Sequence, residues 1–207
     1  MRLLPSVALL LAAFVLFGGQ VQAQGAQDIA QRLQQRYRSI DALQADFTQT
    51  MGGAALQGTL TVQGDAFRIE LPDQTLVSDG ETLWSFSPED NQVVIEQYSE
   101  EGIGFSIGQV FTDYLSVFRP TGATRATMNG IQHDVLALVP RDLDSSVRDA
   151  TLYVRSSDAV PTMVRVHDIN GATLAFDLQN VQLNPSLSVD TFTFRYPQGV
   201  EVIDLRS

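Results

Sequence analysis

Apolar and polar residues alternate with period two along much of this chain. Leu56, Gly58, Leu60 and Val62 are interleaved with Gln57, Thr59 and Thr61. Phe67, Ile69 and Leu71 alternate with Arg68 and Glu70. Leu174, Phe176 and Leu178 follow the same rule beside Thr173 and Asp177, and Phe192, Phe194 and Tyr196 alternate with Thr191, Thr193 and Arg195. Successive strand side chains point to opposite faces, so each run predicts a strand with one dry and one wet side, the pattern of an antiparallel sheet. Asp79-Gly80, Asn129-Gly130 and Asn170-Gly171 punctuate the runs. Each offers residues that tolerate positive φ and so predicts a tight hairpin. In the hairpin built on Asp79-Gly80, Trp84 and Phe86 share one face while Ser85 and Ser87 take the other.

Two segments switch to the helical period. Ile29, Leu33, Tyr37 and Ile40 trace one stripe and predict a helix over Asp28 to Leu43. Ile107, Val110, Phe111, Tyr114, Leu115 and Phe118 trace another over Phe105 to Phe118, ended by Pro120. No strand–helix–strand rhythm appears, which argues against a doubly wound α/β fold. The predicted fold is mainly β, with some α: a long antiparallel sheet whose dry face receives two amphipathic helices. Such a face is either packed solid or leaves an apolar cavity able to take lipid chains.

The first 23 residues read as something other than fold. Arg2 gives a positive start, Val7 to Phe17 is an unbroken apolar run, and Val21-Gln22-Ala23 resembles a small-residue cleavage site. This is the pattern of a secretory signal peptide. Residues 24–207 then suit one domain. No later segment is apolar enough to cross a bilayer. There is no cysteine, so stability in an oxidising compartment must come from a packed core, and no N-terminal Cys is available for lipidation.

All thirteen basic residues are Arg. Without Arg2, the mature chain sets 12 arginines against 24 acids, a net charge of −12. That surface repels phosphate backbones, which argues against nucleic-acid binding, and it has little attraction for anionic lipid. Acidity without Lys fits either a high-salt habitat or genomic base bias.

Candidate chemistry is sparse. Gly104-Phe105-Ser106-Ile107-Gly108 matches the nucleophile-elbow pattern, with Asp113 and His133, or Asp142 and His167, in the required order. The elbow belongs on a parallel sheet with βαβ units, which this chain lacks, so the glycines are better read as helix hinges. His133 and His167 lack metal-ligand spacing, and His167 reads as a solvated strand residue. Asp142, Asp144 and Ser146 lack the glycine of a calcium loop, since Val147 stands in its place, and read as an exposed acidic loop. No phosphate-binding loop or dinucleotide fingerprint is present.

Taken in order, several short motifs carry a resemblance. They are Phe47-Thr48-Gln49, Gly58-Thr59-Leu60, Phe67-Arg68, Val77-Ser78-Asp79-Gly80 with Leu83-Trp84, Pro88 with Gln92-Val93, and Phe192-Thr193-Phe194 with Pro197-Gln198-Gly199-Val200. The mature chain resembles the LolA family of periplasmic outer-membrane lipoprotein carriers over nearly its whole length.

That resemblance implies an unclosed antiparallel β half-barrel with a helical lid over a hydrophobic cavity. It implies a soluble, monomeric periplasmic shuttle with no enzyme activity, catalytic residue, metal or cofactor. Its partners would be lipoproteins, held by their acyl chains, an inner-membrane ABC-type transporter that releases them, and an outer-membrane acceptor. Phe47, Leu60, Phe67, Ile69, Trp84 and Phe86 would line the cavity. Ile107, Val110, Phe111 and Tyr114 would form the lid stripe, and Gly102, Gly104 and Gly108 would hinge it. One departure stands out. The family's usual latch Arg before the third-strand Phe is absent from Gln63-Gly64-Asp65-Ala66, and Arg68 points away from the face of Phe67. The lid then closes by packing alone, or the chain is a distant relative with another lipid cargo. A sensing domain of the same architecture, and a secreted serine hydrolase using Ser106, are the competing readings.

Overall fold

A computed structural model describes residues 18–99 and 117–206, with side chains from residue 25 onward. Among the described residues, a helix, α1 (Gly18–Tyr37), precedes twelve strands. They are β1 (Ala42–Met51), β2 (Ala54–Gln63), β3 (Ala66–Glu70), β4 (Thr75–Ser78), β5 (Thr82–Ser87), β6 (Gln92–Gln97), β7 (Phe118–Met128), β8 (Ile131–Pro140), β9 (Val147–Arg155), β10 (Val160–Asp168), β11 (Thr173–Leu183) and β12 (Glu201–Asp204). All join one sheet in the order β12-β6-β5-β4-β3-β2-β1-β11-β10-β9-β8-β7. The two ends of that order do not pair, so the sheet is unclosed, as the resemblance implies. Every pairing is antiparallel except β12 with β6, which is parallel.

Local chemistry sets most of the hairpins. Asn129 (φ 50°) and Gly130 (φ 77°) both adopt the left-handed region, the requirement of a two-residue primed turn between β7 and β8. Asp79-Gly80 departs slightly from expectation, because the loop is the three residues Asp79–Glu81. The Asp79 carboxylate accepts from the backbone N–H of both Glu81 (2.9 Å) and Thr82 (2.8 Å) and so holds the extra residue.

The helix ends earlier than its stripe predicts. The cause lies 143 residues away in sequence. The Asn184 side-chain oxygen accepts from the N–H of Asp41 (2.7 Å) and Ala42 (3.2 Å), while its amide donates to the Ser39 carbonyl (3.0 Å). These bonds draw the backbone out of the helical path. Leu43 enters β1, and Ile40 packs on the core from the turn. Helix α1 lies against β7 and β8. Its seam is Ala26, Ala30 and Leu33, all buried, and the two alanines let the helix approach the sheet closely.

Two further expectations fail. Phe118 and Pro120 belong to β7 and not to a helix. Pro120 is tolerated because β7 is an edge strand with a register shift at Pro120/Gly122. Phe192–Tyr196 alternates like a strand but forms none. It lies in a crossover from the end of β11 to β12, between opposite halves of the sheet, and pairs with neither neighbour. The expected helix over residues 105–118 otherwise lies outside the described residues.

Candidate functional site

Strand register assigns every side chain to one of two faces, because directly paired residues share a face. Phe47 pairs with Gly58 and Leu178, Leu60 with Ile69 and Ala45, and Phe67 with Val62 and Ser78. These lie on one side of the sheet, its inner face. Phe47, Leu60, Phe67 and Ile69 fall in one core cluster with Leu83, Phe176, Leu178, Val164, Val166, Leu152, Leu136, Leu138 and Phe118, and with Ala26 and Leu33 of α1. The inner face is thus a largely apolar layer running from β5 to β7.

Two details shape this surface. A Cβ added to Gly58 would lie 2.9 Å from the Phe47 ring and 2.5 Å from the Glu70 carbonyl oxygen. The Phe47 ring therefore packs against the bare backbone of β2 at Gly58, where a Cβ would also strike the backbone of β3. The Tyr98 ring meets Phe67 edge-on, with centroids 5.5 Å apart.

Trp84 and Phe86 do not line this face, which corrects the sequence reading. Ser78 pairs with Leu83, so Leu83 shares the face of Phe67, and Trp84 must point the other way. Trp84 pairs with Val77 and thence Arg68, and Phe86 with Thr75 and thence Glu70. The physical reason is the crossover. The Phe194 ring lies tilted against Phe86 at 5.8 Å and meets Tyr196 edge-on at 5.2 Å. The indole N–H of Trp84 donates to the Tyr196 hydroxyl (3.1 Å). The aromatics of β5 are covered from outside by a segment that sequence periodicity assigned to a strand. Leu83, partnered by two serines in the alternation, is the inner-face residue that the reading missed.

The outer face also holds a cleft of about 640 Å³ beneath the crossover, with Thr59, Thr61, Thr75 and Phe86 among its floor and Thr191 and Thr193 in its roof. Arg68 donates to Glu70 (2.8 Å), and Arg195 pairs with Asp190. Arg68 therefore does point away from Phe67. Its partner is a carboxylate on its own strand.

Among the described residues, buried charge enters the inner face at Asp134. Asp134 has a side chain only 5% exposed, opposite Val154 in the ladder. Arg32 of α1 reaches it at 2.8 Å and Arg125 at 3.6 Å. This cluster ties α1 to β8. His167 is not simply solvated: its Nδ1 lies 2.6 Å from Asp149. An ionised carboxylate only accepts, so Nδ1 carries the hydrogen. That bond, joined by one from Arg148, holds the Asp149 carboxyl below the usual range. His133 is buried and contacts the Ile131 carbonyl (3.0 Å). Among the described residues no group of histidine and carboxylate side chains is placed to hold a metal ion. The acidic loop is exposed, with the Asp144 N–H donating to Asp142 (3.0 Å). Ser106, the hinge glycines Gly102, Gly104 and Gly108, and the stripe Ile107, Val110, Phe111 and Tyr114 lie outside the described residues.

The family model for the outer membrane lipoprotein carrier protein LolA matches residues 38–195. The chain belongs to the LolA family. A relative called outer-membrane lipoprotein carrier protein in Halorhodospira halophila is 27% identical, over 96% of this chain and 92% of its own. One of the same name in Bordetella avium is 28% identical over 88% and 89%. Among solved structures, an uncharacterized conserved protein from Thermus thermophilus superposes with a TM-score of 0.59 at 17% identity, covering 87% of this chain and 99% of its own. MucB superposes at 0.53 and 19%, covering 87% and 66%. Both share the fold. The LolA match spans β1 to β11, including Phe47, Gly58 and the β4–β5 hairpin, and stops before β12.

Proposed function

We propose that this protein carries lipoproteins by sequestering their acyl chains against the inner face of the sheet. The supporting observation is the apolar cluster of the inner face from Leu83 to Phe118, in a chain whose relatives are named as outer-membrane lipoprotein carriers. Burying acyl chains needs area and shape but no directional bond, and each methylene removed from water contributes about 0.8 kcal/mol. Phe47, Leu60, Phe67, Ile69 and Leu83 form the part of the site on β1 to β5. The stripe Ile107, Val110, Phe111 and Tyr114 supplies the cover. Trp84 and Phe86 act from outside, as the anchor of the crossover.

In this reading residues 1–23 direct export and are removed, and residues 24–207 work as a soluble monomer in the periplasm. Among the described residues no helix is long and apolar enough to cross a membrane. Cargo comes from an inner-membrane ABC-type transporter and passes to an outer-membrane acceptor. The work is carriage without chemistry. The test uses mature protein, inner-membrane vesicles loaded with a labelled lipoprotein, and mass spectrometry of bound lipid. Release of the lipoprotein into a soluble one-to-one complex is expected. Absence of release, together with no acyl chain on the purified protein, defeats the proposal. Phe111→Asp places a charge on the cover and should abolish acyl binding with the β-rich circular dichroism retained.

A further inference from the structure

The cleft on the outer face is built between two anchors. Its floor is the middle of the sheet, where β1 to β5 each pair on both sides. Its roof is the crossover, which is tied down at either end. At the near end the Asn184 N–H donates to the Ala42 carbonyl (2.8 Å). At the far end Phe194 lies against Phe86, Tyr196 accepts from Trp84, and the Asn91 amide donates to the Gly199 carbonyl (2.8 Å). Between these points the crossover bridges the sheet, and about 640 Å³ stays open beneath it. That volume lies within the range of about 300–1,000 Å³ for small-ligand sites.

Register sets the chemistry of the floor. Thr61 stands beside Arg68, and Glu70 stands between Thr59 and Thr75, with Phe86 beyond. Five threonines and two serines line the cleft, and every hydroxyl can both donate and accept. The charged groups of the lining cancel in pairs. Arg68 donates to Glu70 (2.8 Å) on the floor, and Arg195 pairs with Asp190 in the roof. The bond to Glu70 uses the Arg68 Nε, which leaves the terminal nitrogens as further donors. Phe86, Phe194, Leu187 and Pro197 add apolar surface.

Several classes of occupant meet an obstacle here. An acyl chain would strip water from the hydroxyls and ion pairs without replacing its hydrogen bonds. A phosphate or an amine would find each opposite charge already matched by one of its own sign. A peptide strand adds to a sheet through unpaired backbone groups, and the floor strands offer none. An uncharged molecule with many hydroxyls and an apolar C–H face meets none of these obstacles. We propose that the cleft binds a neutral sugar of mono- or disaccharide size. Its hydroxyls bond Thr59, Thr61, Arg68 and Glu70, and its C–H face lies against Phe86 and Phe194. The site is on the opposite side of the sheet from Phe47, Leu60 and Phe67, so it operates independently of the acyl surface.

The test is saturation-transfer NMR on the purified protein with maltose, N,N′-diacetylchitobiose and maltoheptaose as probes. At least one of these should receive saturation, and neither inorganic phosphate nor a blocked triglycine should displace it. Equal affinity for maltose and maltoheptaose assigns a free small sugar, whereas tighter binding of maltoheptaose assigns a glycan chain. The valine pairs Thr59→Val/Thr61→Val on the floor and Thr191→Val/Thr193→Val in the roof keep branched side chains of similar shape. Each should weaken sugar binding at least tenfold, and the roof pair decides the matter if the floor pair unfolds. Both should bind a fluorescent fatty acid as the parent does. No transfer to any of the three sugars, transfer that the roof pair leaves unchanged, or displacement by phosphate or triglycine would each overturn the proposal. Fatty-acid binding is read on the same samples, so a failure of the carrier reading appears there and leaves the sugar result standing.

Discussion

The two faces of strands β3 to β5 make an instructive pair. The inner face presents Phe67, Ile69, Leu76 and Leu83, and the outer presents Arg68, Glu70, Thr75, Trp84 and Phe86. By bulk alone the outer face of β5 is the more hydrophobic. It nevertheless belongs to the polar side, because the crossover brings Phe194 and Tyr196 over it. The inner face of β5 owes its apolar character to one leucine, but it joins a surface that extends across the sheet. Hydrophobicity of a residue decides that it will be covered. What covers it decides whether the place is a binding surface or a clasp.

The sharpest way to break this comparison is to alter each side of β5 in turn. Leu83→Asp should abolish acyl-chain binding and lower the melting temperature, because it puts a carboxylate in a desolvated apolar cluster. Trp84→Ala should also destabilise, yet acyl binding per folded molecule should stay at the parent level. Loss of acyl binding in Trp84→Ala would return the aromatics to the site. Calorimetry and a fluorescent fatty-acid titration measure both quantities.

Within the inner face, Phe47→Ala should cost about 3–5 kcal/mol, the range for emptying a buried ring site. Gly58→Ala should cost about 1–3 kcal/mol by overpacking against the Phe47 ring and the Glu70 carbonyl. Combining the two should recover part of the sum, since the Phe47 ring is one of the groups the new methyl strikes. Strict additivity in denaturant unfolding would contradict the packing described.

The smallest effects belong outside. Tyr196→Phe removes the acceptor of the Trp84 N–H and should cost about 0.5–1 kcal/mol, with acyl binding untouched. Asp149→Asn should cost less than about 1 kcal/mol at neutral pH, since the pair with His167 and Arg148 is half-exposed. Its sign with pH is determined. The folded-state carboxyl titrates below the unfolded one, so its contribution is complete above the unfolded pKa and disappears as pH falls through the folded value. The stability gap between parent and Asp149→Asn should therefore close below about pH 4. A gap that widens on acidification would show that the pair is not the cause.

Much of the architecture was legible along the chain. Alternation in β2, β3 and β11 marked strands correctly, since Leu60, Phe67, Ile69, Phe176 and Leu178 are buried on one face of the sheet. Asn129-Gly130 marked its turn because few residue pairs adopt positive φ twice. The helix end was not legible, because Asn184 acts from another strand. Phe192–Tyr196 misled for a related reason: its aromatics alternate to fit the outer face of β5 without pairing. Of the inner-face residues expected, Phe47, Leu60, Phe67 and Ile69 came together, while Trp84 and Phe86 gave way to Leu83.

From composition and periodicity alone come the strands, most turns, a helix stripe and the dependence on a packed core without cysteine; the order of short motifs carries the resemblance to the LolA family. These are local properties, written in side-chain alternation and backbone preference over a few residues. Tertiary structure decided which face of β5 looks inward, where α1 stops and how Arg68 is paired. Most of these depend on a partner distant in sequence, such as Asn184, Phe194 or Tyr196, and period-two alternation, which says that two faces differ, does not say which of them another part of the chain will cover.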